Sequence, residues 1–380
     1  MNMTIRSAAL IALLAASLPA AAATSTLTRA WKFQSDAAAG LKVHNLIGDV
    51  RVERGSDASF HVTARATVET SSQAEAERLA RAVEFRTRDA GAGSRFDVFF
   101  PKEQFPKIYH ADGPGHWWGM MMYVDYLSER IRLTGDRDEA PMVRVDLVIQ
   151  APAGAKLEVQ NMLGDAVAQG FSGELRLEGT SGLQHSAAGE GRLELDTGSG
   201  PVEVIGHHGR VIADTGSGAV SIRDCDCELD ADTGSGAVAV HNGSGTLRAD
   251  TGSGGVTIEG FSGSLAADTG SGSVRANGVS NVADLELDTG SGGVAIEGDL
   301  SALRKLHVDT GSGGVRLRST ATPSIEIAID TGSGGVNVDA PGATVRQLDS
   351  GDWTVRLGDG ASNGTIDTGS GSVEIIVTAN

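Results

Sequence analysis

The chain has 380 residues, a formal net charge of −18 at pH 7 and only 4% aromatic residues. That charge excludes nucleic acid as a natural partner, because no basic patch could offset the phosphates, and it argues against direct binding to anionic lipid. Beyond Asp196 the only Phe, Trp or Tyr residues are Phe261 and Trp353, so a core there must be built from stacked Val, Ile and Leu.

The first 23 residues read as a signal peptide. Arg6 gives a basic start, Ala8 to Leu18 an apolar stretch, and Ala20 through Ala23 a small-residue cleavage site. No Cys stands beside that site for a lipid anchor, and no later stretch approaches the ~18 apolar residues of a membrane span. The expected location is periplasmic or secreted. Residues 24–150 read as an α+β cap with strands at 41–43, 50–53, 60–66, 83–88, 96–100 and 143–149. One helix over 72–83 starts from Ser71 or Ser72 as N-cap and turns Leu79 and Val83 to the sheet. Val43-His-Asn-Leu-Ile-Gly-Asp-Val50 is echoed by Val159-Gln-Asn-Met-Leu-Gly-Asp-Ala-Val167. The repeat pattern therefore either begins inside the cap region or is interrupted by it.

An insertion at 99–127 gathers two of the four Trp, all three Tyr and three of the seven Met. Two readings fit it: a plug over an open sheet edge, or a contact surface for a partner formed by Trp117, Trp118, Met120, Met121, Met122 and Tyr123. His110, Asp112 and His116 are its one candidate metal set.

Residues 151–380 carry the dominant signal. Asp-Thr-Gly-Ser-Gly begins at Asp196, Asp214, Asp232, Asp250, Asp268, Asp288, Asp309, Asp330 and Asp367; the first five copies are 18 apart and the next gaps are 20, 21 and 21. Asp349-Ser350-Gly351 is a looser copy. Between copies, runs such as Val256-Thr-Ile258 and Leu265-Ala-Ala267 alternate with period two, which marks strands with one buried face. No helix lies between them, so only coiling pairs every strand. The expected fold is all-β: a parallel β-solenoid of 18–21 residues per rung behind an N-terminal α+β cap.

Asp-Thr-Gly-Ser is also the tetrapeptide of aspartic proteases, which need two aspartates sharing a proton. Nine copies in register cannot each be half of such a pair, so the structural reading is preferred. The stacked aspartates then repel at a spacing of ~5 Å unless something compensates them. Backbone amides in Asx-type turns are the preferred answer, and calcium bridging along the ladder is the alternative. The RTX solenoid nonapeptide, with half the period, does not match.

Cys225 and Cys227 share one strand face and read as small core residues; a local disulfide or a thiolate metal site stays open. Outward positions Thr257, Arg275, Ala295, Arg316 and Asn337 show no repeated chemistry, and Arg316 with Arg318 is the one basic pair. The closing run from Val373 leaves the last rung bare, with no sorting signal or membrane barrel after it. Self-association through that rung is expected.

Three segments carry a family resemblance: Leu41-Lys-Val-His-Asn-Leu-Ile-Gly-Asp-Val-Arg-Val52, Val145-Asp-Leu-Val-Ile-Gln-Ala-Pro-Ala-Gly-Ala-Lys-Leu-Glu-Val159, and the rungs ending in Ser-Gly-x-Val. With them the mature chain resembles the bacterial putative-adhesin family of exported β-strand-repeat proteins of unknown function, departing from it at the 99–127 insertion. The resemblance implies an exported solenoid and no enzyme, and it brings no catalytic residue or cofactor. The functional expectation is a rod presenting sheet faces for adhesion or envelope-associated binding, to a protein or a surface polymer. A calcium-stabilised solenoid and a polysaccharide-active β-helix enzyme are the alternatives.

Overall fold

A computed structural model describes residues 23–33, 40–90, 93–100, 104, 108–109, 121–134 and 140–378. The first 23 residues, read from sequence as a signal peptide, lie outside them apart from Ala23. So do His110, Asp112 and His116.

The repeat is a β-solenoid. Five strands of 14 residues, Gln184–Thr197, Val202–Thr215, Val220–Thr233, Val238–Thr251 and Val256–Thr269, pair in parallel, each residue opposite the one 18 later. Alternation explains the burial: in Val202–Thr215 the side chains of Val202, Val204, Val211, Ala213 and Thr215 are all fully buried. Each strand bends midway at a left-handed residue, among them Asp224 (φ 53°) and Asn242 (φ 54°), so its two arms lie on different faces of the rod. The Gly-Ser-Gly corner then returns the chain to the first face. After Thr269 the two arms are separate strands in the same columns.

The inward position of the bend is filled in turn by Gly189, His207, Cys225, Gly243 and Phe261, and size decides this order. A Cβ on Gly189 would come 2.7 Å from His207 Nδ1, and one on Gly243 would come 2.8 Å from the Phe261 ring. Each large ring thus needs a glycine on the coil before it. Cys225 and Cys227, buried as the alternation requires, are joined in a disulfide.

Sequence order and spatial order part at both ends. Leu41–Ile47 and Val50–Arg54, the first coil in the chain, lie directly on Ala155–Leu163 and Ala166–Gln169. The echoed segments are therefore stacked rungs, with Val43 opposite Val159 and Asn45 opposite Asn161. Their buried amides close the gap: Asn45 Nδ2 donates to Asn161 Oδ1 and to the Val145 carbonyl, both at 2.9 Å. Residues 55–154 are an insertion between these two coils. Out of it, Gly93–Phe99 and Met142–Ala151 return to cover the outer side of the first coil. Phe60–Thr70, Ala23–Phe33 and Glu84–Ala90 extend the sheets antiparallel. The helix Gln73–Ala82 starts from Ser72, whose Oγ accepts from the Glu75 N–H, and it buries Leu79 as expected; Val83, just past its end, is buried too.

At the other end the last coil is not bare, which corrects the expectation of an open rung. Ser362–Thr368 lies between Lys305–Thr310 and Ile325–Asp330, and Val373–Val377 lies between Val315–Ser319 and Val336–Asp339. Asp352–Leu357 caps Ile325–Asp330 antiparallel, and Thr344–Gln347 pairs onto that cap. Segment 340–361 folds back over the rod end, so the looser Asp349 copy is a cap instead of a rung.

Candidate functional site

The nine Asp-Thr-Gly-Ser-Gly copies form one continuous corner. Alternation places each Asp outside and each Thr inside, and all nine threonines, from Thr197 to Thr368, are at most 2% exposed. The hydroxyls bind coil to coil: Thr233 Oγ1 donates to the Gly218 carbonyl of the preceding coil (2.9 Å) and accepts from the Gly236 N–H of its own motif (3.0 Å). Thr215, Thr251, Thr269 and Thr289 repeat the pattern. The glycines permit the approach. A Cβ on Gly216 or Gly234 would stand 2.5 Å from a glycine carbonyl oxygen one coil back, and the second glycine of each motif is tighter still. The Thr and both Gly of the motif are thus committed to stacking.

The aspartates do not do what the preferred reading gave them. Among the nine motif aspartates the Asx-type turn forms at Asp330 alone, where Gly332 N–H donates to Oδ1 at 3.0 Å. Thr performs the capping because it is the inward residue of the pair. The carboxylates are left as an outward ladder. Burial raises the Asp214 carboxyl above its ordinary range, and Asp196 and Asp232 on the flanking coils push it the same way. Asp232, Asp268, Asp288 and Asp367 are raised for the same two reasons. Arg248 and His307 offset part of this, and no group of three or more His, Cys, Asp or Glu among the described residues is arranged to hold a metal ion.

A concavity lies beside this corner, on the outer face of the first arm. It is an open groove of about 1070 Å³ crossing five coils. The residue after each Gly-Ser-Gly shrinks toward it: Pro201, Ala219 and Ala237 give way to Gly255, Ser273, Gly293, Gly314, Ser372 and Gly335, in spatial order, and the last five form the floor. Arg275, Ala295, Arg316, Glu374 and Asn337 line its side. Arg275 donates to Ser273 Oγ (3.0 Å), and Arg316 Nε pairs with Glu374 Oε2 (2.6 Å). At ~4.8 Å per strand the floor runs about 19 Å along the rod. Arg275, Ala295, Arg316 and Asn337 were named from sequence as offering no repeated chemistry; a groove made of missing side chains needs none. The visible signal was Gly or Ser following the motif.

Of the aromatic insertion, Trp117, Trp118 and Met120 lie outside the described residues. Met121–Tyr126 forms a hairpin with Glu129–Thr134. Its inward residues Val124, Tyr126, Ile131 and Leu133 are buried, and the Tyr126 hydroxyl donates to the Val98 carbonyl at 2.6 Å, so this face packs onto the cap. Tyr123, on the opposite face, is 54% exposed beneath the Arg130 guanidinium.

No helix among the described residues is long and apolar enough to cross a membrane. No curated protein matches the chain. A solved structure of a putative cell adhesion protein from Clostridium sporogenes is similar at 11% identity, covering 93% of this chain and 100% of that one, with a TM-score of 0.23. Residues 262–380 match the family described as Toastrack DUF4097. That stretch holds the whole groove and the folded-back rod end, so it is this part of the solenoid that is similar to the Toastrack family.

Proposed function

We propose that the protein is a non-enzymatic, exported rod that binds an extended surface polymer or protein segment along its groove. The observation that carries this reading is the continuity of the groove across five coils. A floor of glycine and serine, with hydroxyls at Ser273 and Ser372, leaves an extended chain a low surface to lie on along all five rungs, whereas a compact substrate would touch only one or two. The protease-like tetrapeptide supports a non-catalytic role: its Thr and Gly serve the stack, and its Asp residues stand in a line, one per coil, instead of facing in a pair.

Binding of peptidoglycan, an acidic exopolysaccharide and a neutral glucan to the full chain, measured by calorimetry and co-sedimentation, tests the reading. Ala295→Trp puts a ring on the groove wall from an outward, half-buried position and should abolish binding of whichever polymer binds, with the melting midpoint unchanged. Undiminished binding by that variant would sink the assignment of the groove.

A further inference from the structure

The folded-back end of the rod contradicts the repeat written in its own sequence. Counting from Asp349, Val355 and Leu357 stand six and eight residues on, where Val315 and Leu317 stand from Asp309 and Val336 and Val338 from Asp330. Leu348, just before Asp349, matches the buried Val308 and Ile329. The sequence thus spells a coil at 344–357 between the coils of Asp330 and Asp367. The fold uses it as an antiparallel cap instead.

Each arrangement satisfies residues that the other does not. In the clasped form Gly364 sits opposite both Leu306 and Ile327, and a Cβ there would meet Leu306 Cβ at 3.0 Å and Ile325 Cδ1 at 3.1 Å. Intercalation thus relies on that glycine. The clasp also shields Val373–Val377, an edge with one charge, no Pro and no Lys, the kind that recruits other strands. Against this, the clasp leaves Leu348 70% and Val345 42% exposed, and Val336 and Val338 only half-covered. A sequential stack would bury Leu348 and lay Val355 and Leu357 over Val336 and Val338. The spacing allows it, since Asp309 to Asp330 is 21 residues, the same step as Asp288 to Asp309.

We propose that the rod end is a two-state element that gates self-association. In the closed state the coil 362–377 is clasped between its neighbours. In the open state the coils of Asp309, Asp330, Asp349 and Asp367 stack in chain order, and the bare edge of the last one pairs with the same edge of a second copy. The partner is a second copy because a two-fold axis at Ile375 pairs the two edges antiparallel, setting Ile375 against its own equivalent and Val373 against Val377, with a single Glu374 on each side. Two packings of one segment that differ by the burial of a few aliphatic side chains are close enough in energy to exchange. This inference is independent of what the groove binds.

Cysteine pairs in the full chain read the two states. His307 and Thr365 are opposite one another in the clasp, with His307 Nδ1 2.8 Å from Thr365 Oγ1. Ala328 is then one strand further, about 9.6 Å from His307, beyond the ~7 Å reach of a disulfide. In the open state His307 faces Ala328. His307→Cys with Thr365→Cys should cross-link rapidly and stay monomeric by light scattering. His307→Cys with Ala328→Cys should cross-link slowly, become dimeric, and gain about tenfold in rate when Gly364→Leu crowds the clasp. The proposal is overturned if the second pair never links while the first does, if neither links, or if the second links without dimerising.

Discussion

The stacking role of the motif glycines predicts a steep local penalty for a single methyl group. In Gly234→Ala the new Cβ would stand 2.5 Å from the Gly216 carbonyl oxygen, about 0.9 Å short of ordinary contact. The obstacle is backbone, so relief requires two coils to part at the corner. There the Gly234 N–H donates to the Thr215 carbonyl and the Gly252 N–H to the Thr233 carbonyl, both at 3.2 Å. Losing one or two such bonds at ~1 kcal/mol each, with overpacking strain of 1–3 kcal/mol, gives a cost of about 2–4 kcal/mol. Gly255→Ala is the matched control: its Cβ would stand 3.2 Å from the Ser273 carbonyl oxygen, a far milder approach, and Ala237 and Ala219 already occupy the same column one and two coils back. It should cost less than ~1 kcal/mol. Urea unfolding followed by far-ultraviolet circular dichroism compares the midpoints. Equal midpoints for the two variants would refute the claim that close coil approach, and not flexibility, selects these glycines.

Other consequences follow from the same geometry. Thr233→Val keeps the shape but leaves the Gly236 N–H and Gly218 carbonyl without their hydroxyl partner, and should lower stability by about 1–3 kcal/mol in the same assay. Asp232→Asn removes one rung of a like-charge ladder and should raise the melting midpoint at pH 7, by up to ~1 kcal/mol in equivalent stability. The raised folded-state carboxyls mean that the native chain binds protons more readily than the unfolded one, so the ladder's penalty fades as pH falls through those raised values, and the gain from Asp232→Asn should vanish below about pH 4. A midpoint gain that persists in acid would contradict this. Calcium and sodium chlorides at equal ionic strength should raise the midpoint equally, since the ladder needs screening; a specific calcium effect would favour a bound ion. Reduction of Cys225–Cys227 closes no long loop and should cost on the order of 1–2 kcal/mol, seen as a modest drop in midpoint.

What the sequence announced was whatever is repeated at a fixed step. The Val and Ile columns, the buried Thr, and the stacking of Asn45 on Asn161 all follow from register, because parallel in-register pairing sets like residues opposite like. The outward Asp was misassigned, although the alternation that buries Thr233 already places Asp232 on the surface. Coil order at the two ends was not legible. Parallel pairing leaves no mark of which coil is the neighbour, so insertions at 55–154 and 340–361 can return the chain to either side of an existing rung. The groove escaped notice because it consists of side chains that are absent, Gly293 and Gly314 among them.

Spin-label distances from one fixed rung test the whole architecture most directly. With one label at Asp196 and the second at Asp268, Asp309, Asp367 or Asp330, pulsed dipolar spectroscopy should return distances growing by ~4.8 Å per coil, about 19, 29, 34 and 38 Å in that order. The decisive pair is the last: the account places Asp367 nearer than Asp330, against their order in the chain. A distance to Asp367 that exceeds the one to Asp330 as the main population, or distances that do not rise linearly with coil number, would contradict it.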